Sequence, residues 1–159
     1  MIRVAAFLVV AAFASPAASD WQYTKWGMSP QSVLAASKGS AVAVTQAEAG
    51  GLRIAGLGLE AKYKFPYKSG NYDFDGIFYF KNDKLSAVSL TLRDMTQSAS
   101  LLQSLTGLYG AAIEQNNKFG PHRVWRDVKS SNLVDYHQLS DISTRIMYTP
   151  AGGSDASGL

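Results

Sequence analysis

The sequence predicts an α+β domain in which two helices pack on one face of a mostly antiparallel, curved sheet. Three observations predict it. Residues 97–109 carry a leucine stripe at helical spacing, residues 76–92 read as a hairpin, and the strand-like runs lie too close together for parallel crossovers.

The chain opens with Arg3, an apolar block from Val4 to Phe13, and small residues at Ala17, Ala18 and Ser19 before Asp20. One cation, a short greasy stretch and small residues describe a secretory signal peptide over residues 1–19. The apolar block is shorter than the about 20 residues a membrane-spanning helix needs, so no stable membrane span is expected. Cleavage after Ser19, with Ala17 and Ala18 as competing positions, leaves 140 of the 159 residues, enough for one core. A single domain is expected over residues 20–150, followed by a disordered tail over 151–159 that is rich in Gly, Ser and Ala.

Within the domain, Ser29 is placed to cap a short helix whose first position is Pro30. Met28 and Val33 have the spacing of a hydrophobic staple, and the helix should end near Ser37 to Gly39. Residues 41–46 read as a strand and Gly50-Gly51 as a turn. Leu52 to Phe65 reads as a long irregular strand or a broken pair, interrupted at Gly56 and Gly58. The hairpin runs from Gly76 to Phe80, turns at residues 81–84, and returns from Leu85 to Leu92, where Val88, Leu90 and Leu92 alternate with Ser89 and Thr91. In the second helix Leu101, Leu102, Leu105, Leu108 and Tyr109 form the buried stripe and Gly110 caps the end. Three further strands are expected at His122–Val128, Leu133–Leu139 and Thr144–Tyr148, with Pro150 ending the last. Both halves thus run helix then meander.

Composition narrows the function classes. The chain has no cysteine, which excludes disulfides, thiolate metal sites, a cysteine nucleophile and a lipidated cysteine. For an exported domain this favours a bacterial envelope protein, periplasmic or secreted. Fifteen basic residues face 12 acidic ones, and loss of Arg3 takes the net charge from +3 to +2. So even a balance argues against nucleic-acid binding, which needs a dense basic face, while it permits mild attraction to anionic envelope material.

Gly27-Met28-Ser29 followed by Val33 at the start of a short helix resembles the opening of small envelope domains related to the accessory lipoprotein of the outer-membrane β-barrel assembly machine. The helix-plus-meander order also resembles the β-lactamase-inhibitor-protein type of fold. That resemblance implies an open sheet that binds protein partners.

Four patterns are candidates for chemistry. Residues 62–68, Lys-Tyr-Lys-Phe-Pro-Tyr-Lys, interleave cations with aromatics. On a strand, Tyr63, Phe65 and Tyr67 share one face, offering rings to a sugar, headgroup or peptide while Lys62 and Lys64 attract anions. The bland alternative is an edge strand whose aromatics enter the core. Residues 71–76, Asn-Tyr-Asp-Phe-Asp-Gly, match the first half of a calcium loop, but the twelfth position is Asn82, which lacks the needed carboxylate, so a polar turn is expected. A metal site or Ser-His-Asp relay would require His122, His137, Asp127, Asp135 and a serine to converge, and no local spacing shows that. The glycines of residues 50–58 lack the Gly-Lys-Ser/Thr ending of a phosphate loop.

The sequence therefore predicts an exported, non-enzymatic binding module without a cofactor or metal. It would recognise an envelope protein or an anionic or sugar surface ligand through an open sheet face or edge. The residues expected to carry binding are Tyr63, Lys64, Phe65 and Tyr67, with Trp125 as a further contact. An enzyme alternative, a small envelope hydrolase or metal-dependent enzyme, requires His122, His137 and Asp127 or Asp135 to meet in a concave pocket. A third alternative is a structural subunit of an oligomer.

Overall fold

The computed structural model describes residues 20–152. The predicted signal peptide, and the predicted tail beyond Gly152, lie outside the described residues.

A short hairpin of β1 (Asp20–Trp21) and β2 (Thr24–Lys25) leads into α1 (Pro30–Ala36). The Ser29 hydroxyl accepts a hydrogen bond from the Ser32 amide at 3.2 Å and Pro30 takes the first helical position, as the sequence predicts. After α1 the expected strand at 41–46 shrinks to β3 (Val42–Ala43), because Thr45 caps a third helix, α2 (Gln46–Leu52). The cap is reciprocal: Thr45 Oγ1 accepts from the Glu48 amide, and Glu48 Oε2 accepts from the Thr45 amide at 3.0 Å. Two expectations fail there. Gly50-Gly51 lies inside α2 and is no turn, and the segment from Leu52 passes through a 3₁₀ turn at Ala55–Leu57 before any strand begins.

Three long strands follow, β4 (Glu60–Ser69), β5 (Tyr72–Lys81) and β6 (Lys84–Leu92). The β5–β6 turn is the predicted one. Its central residues Asn82 and Asp83 have φ of 51° and 57°, the left-handed conformation a two-residue hairpin turn demands and that Asn and Asp tolerate best. Next come α3 (Ser98–Tyr109), with Gly110 as its cap, and β7 (Glu114–Asn116), β8 (His122–Asp127), β9 (Asn132–Leu139) and β10 (Ser143–Pro150).

All but the first two strands form one open antiparallel sheet in the order β3-β4-β5-β6-β10-β9-β8-β7. Two meanders, each preceded by a helix, meet where their last strands β6 and β10 pair, with Leu90 opposite Ile146. The molecule is thus mixed α+β and dominated by sheet.

Alternation along each strand sorts side chains to two sides. One side carries the main cluster, including Phe65, Phe78, Leu90, Trp125, Tyr136 and Ile146, to which α1 contributes Val33 and α3 contributes Leu101 and Leu105. The other side carries a smaller cluster, Leu59, Ala61, Ile77, Tyr79 and Ala87, against which Leu52 and Ile54 pack.

Candidate functional site

The aromatic strand predicted to bind is β4, and its rings meet other rings. Phe65 is 5% exposed and stacks on Phe78 with centroids 4.3 Å apart. Tyr63 packs edge-on to Phe80 at 6.0 Å, and Tyr67 lies between Trp21 at 5.4 Å and Phe74 at 6.1 Å. Lys64 pairs with Glu48 at 2.6 Å and Lys62 with Asp83. Trp125 is 1% exposed, and its Nε1 donates to the Gly110 carbonyl at 3.0 Å. Phe65 and Trp125 therefore offer almost no surface, while Tyr63, Lys64 and Tyr67 remain half-buried. Trp21, on a hairpin that the periodicity of the sequence did not announce, closes over Phe65 and Tyr67.

The calcium-like pattern is strand. Its residues from Tyr72 onward belong to β5, where Asp75 pairs with Arg93 and Asp73 lies 3.6 Å from Lys68. Among the described residues no group of three or more His, Asp or Glu side chains is arranged to hold a metal ion.

The two histidines, by contrast, converge. The turn after β8 sets Asp127 opposite Asn132, and that register carries His122 to a position directly across from His137. The next pairing puts Arg145 on the other side of His137, and β7 puts Asn116 beside His122. All four point away from the main cluster, because Trp125, Val134, Tyr136 and Ile146 occupy the alternate positions of these strands. Asn132, Val134 and Tyr136 on the inner side of β9 are buried while Leu133, Asp135 and His137 on its outer side are half-exposed.

The rings of His122 and His137 meet edge to face with centroids 5.5 Å apart. Asp135, two residues before His137 on the same side, sets Oδ1 3.1 Å from His122 Nε2. These groups, with Arg145, Met147 and Phe119, line a depression of about 190 Å³. Its rim is the loop between β7 and β8. Gly120 has φ of 114°, and a β-carbon there would stand 2.1 Å from the Gln138 carbonyl oxygen, so only glycine lets the loop lie against β9. The Gln138 amide donates to the Pro121 carbonyl at 2.9 Å and completes the contact.

Comparison of the chain with protein-family models, with curated proteins and with solved structures gives no match.

The partners of these side chains decide what the depression can do. Asp135 is occupied by His122. Arg145 makes no ion pair or hydrogen bond among the described residues, and the His137 ring has only its contact with His122. His122 and Asp135 have the base-and-orienter relation of a hydrolytic relay, but no hydroxyl or thiol lines the depression among the described residues. Asp127 lies elsewhere, accepting from the Lys129 amide at 3.0 Å in the β8–β9 turn. Alternation along β9 places Asp135 and His137 together in the sequence itself. The contributions of His122, Arg145, Asn116 and Phe119 depend on strand order and register, which carry no local signal.

Proposed function

We propose that this chain is an exported, non-enzymatic binding module of the bacterial envelope, recognising an envelope protein or an anionic or sugar-bearing surface ligand on the outer side of β8, β9 and β10. In this reading α1 and α3 back one side of the sheet, α2 packs on the other over β4 and β5, and the outer side of β8, β9 and β10 is left for recognition. The observation that supports it is the cross-strand pairing, in an accessible depression, of Arg145 and His137, whose side chains make no hydrogen bond or ion pair among the described residues. Such donors, already desolvated on one side by the sheet, gain more from a ligand than freely hydrated surface charges do.

The half-buried Tyr63, Lys64 and Tyr67 are a second candidate surface, though most of their aromatic area already serves the core. Retention of the folded protein on an isolated cell-envelope fraction tests the choice. A His137→Glu/Arg145→Glu double variant should lose retention, and a Tyr63→Ala/Tyr67→Ala variant that stays folded should keep it. Unchanged retention of the first variant sinks the assignment to this face.

A further inference from the structure

We propose that the depression between His122, His137 and Arg145 is an oxyanion site, taking the phosphate or carboxylate of a ligand whose adjoining apolar part lies on Phe119 and Met147. The inference rests on the reading above and names the chemistry of its ligand.

Four cations on or beside the sheet face carboxylates: Lys62 with Asp83, Lys64 with Glu48, Lys68 with Asp73 and Arg93 with Asp75. Arg145, like Arg126, Lys81 and Lys84, has no ion pair among the described residues, and of these it alone lines the depression. Its cross-strand neighbours are His137 and Thr91, neither of them acidic. A guanidinium with five donors and no hydrogen bond or ion pair among the described residues matches the two-oxygen edge of a carboxylate or phosphate. The His137 ring stands beside it with neither nitrogen hydrogen-bonded among the described residues, and Asn116 adds an amide across from His122. The one anionic group of the depression, Asp135, is held by His122, so it orders that imidazole and leaves Arg145 unneutralised. Phe119 is 65% exposed, and Lys118 lies over its ring with Nζ 5.2 Å from the centroid. An exposed aromatic at the rim of a cationic depression suits a ligand with an apolar portion next to its charge.

Asp135 gives the proposal its sharpest test, because a site for an anion and a site for a cation respond to its loss in opposite directions. The histidine ring-proton NMR signals of the purified protein are followed during titration with inorganic phosphate, acetate, an alkyl phosphate and zinc chloride. Phosphate or acetate should shift the His137 signals saturably. Arg145→Gln should weaken that binding by about 10-fold or more, Arg145→Lys by less, and Asp135→Asn should tighten it. Tighter binding of the alkyl phosphate, lost in Phe119→Ala, assigns a headgroup as the source. Equal binding of both phosphates assigns a small free anion, and either result supports the site. Absence of a saturable shift with any anion overturns the proposal. So does equal binding by Arg145→Gln with an unchanged melting temperature, or a zinc response that Asp135→Asn abolishes. If retention on the envelope fraction depends on Arg145 while no anion binds, the oxyanion site falls and the binding face stands. If anions bind while retention is indifferent to the face, the reverse holds.

Discussion

The ring of Phe65 covers Gly76, its register partner across β4 and β5, so closely that a β-carbon on Gly76 would fall 2.4 Å from both Cε2 and Cζ of the ring. The ring has no room to retreat, because Phe78 stacks on it at 4.3 Å and Trp21 lies 5.5 Å away. Gly76 is thus needed for space, since its backbone is ordinary strand. Gly76→Ala should cost about 1–3 kcal/mol by overpacking, read as a lower midpoint in urea denaturation. Phe65→Leu should absorb part of that cost in the double variant, and a Gly76→Ala protein as stable as wild type would show that the ring yields.

The α2 cap responds to acid. The Lys64 ammonium hydrogen-bonds to Glu48, and the Thr45 amide and hydroxyl add further donors, together holding the Glu48 carboxyl down from its ordinary 4.5 to about 2. The folded value lies below the unfolded one. The cap's contribution is therefore complete above pH 4.5 and fades as pH falls towards about 2. A carbon NMR titration of the Glu48 carboxyl should show a midpoint near 2, rising in Lys64→Met. A midpoint at 4.5 in wild type would mean that the cap does not form in solution.

What the sequence announced and what it hid differ by the range of the interaction. Ser29-Pro30 at α1 and the Asn82-Asp83 turn act within a few residues and appear where local chemistry puts them, while the predicted stripe of α3 is buried at Leu101 and Leu105 and fails at Leu108, which is 70% exposed. Thr45-Gln46-Ala47-Glu48 was equally local, a legible capping box outweighed by the β-branched residues before it and the glycines after it. The histidine depression was not local. His122 and His137 are neighbours only through the β8–β9 register, and Arg145 joins them only because β10 pairs with β9 on one side and β6 on the other. Alternation alone puts the aromatics of β4 on one face, but which side of a sheet is the interior depends on Trp21 and the helices that arrive there.

The rim of the depression hangs on Gly120. Its positive φ is unfavourable for any residue with a side chain, and the atom a β-carbon would strike, the Gln138 carbonyl oxygen, belongs to a strand held on both edges. In Gly120→Ala the loop should lift, breaking the Pro121–Gln138 hydrogen bond. Amide exchange at Gln138 should accelerate strongly, and global stability should fall by about 1–3 kcal/mol. Exchange at wild-type rates would mean that the loop lies against β9 for reasons other than this glycine.

α3 is tied to the sheet by a buried polar contact as well as by leucines. Ser98 Oγ and Thr144 Oγ1 are 2.7 Å apart, and the Tyr136 hydroxyl donates to the Ser98 carbonyl at 3.1 Å. All three residues are buried, so each hydroxyl depends on protein partners in place of water. Ser98→Ala removes one partner of the Thr144 hydroxyl, which keeps the Tyr136 hydroxyl, and Thr144→Val removes one partner of Ser98, whose Oγ keeps its bond to the Met95 carbonyl at 2.7 Å. Each single change should cost about 1–2 kcal/mol. The double variant removes donor and acceptor together. Its loss should fall short of the sum of the singles by about 0.5–3 kcal/mol, measured as a double-mutant cycle in urea. Strict additivity would mean that the two hydroxyls do not bond in solution, leaving the Tyr136–Ser98 carbonyl bond and leucine packing to dock α3.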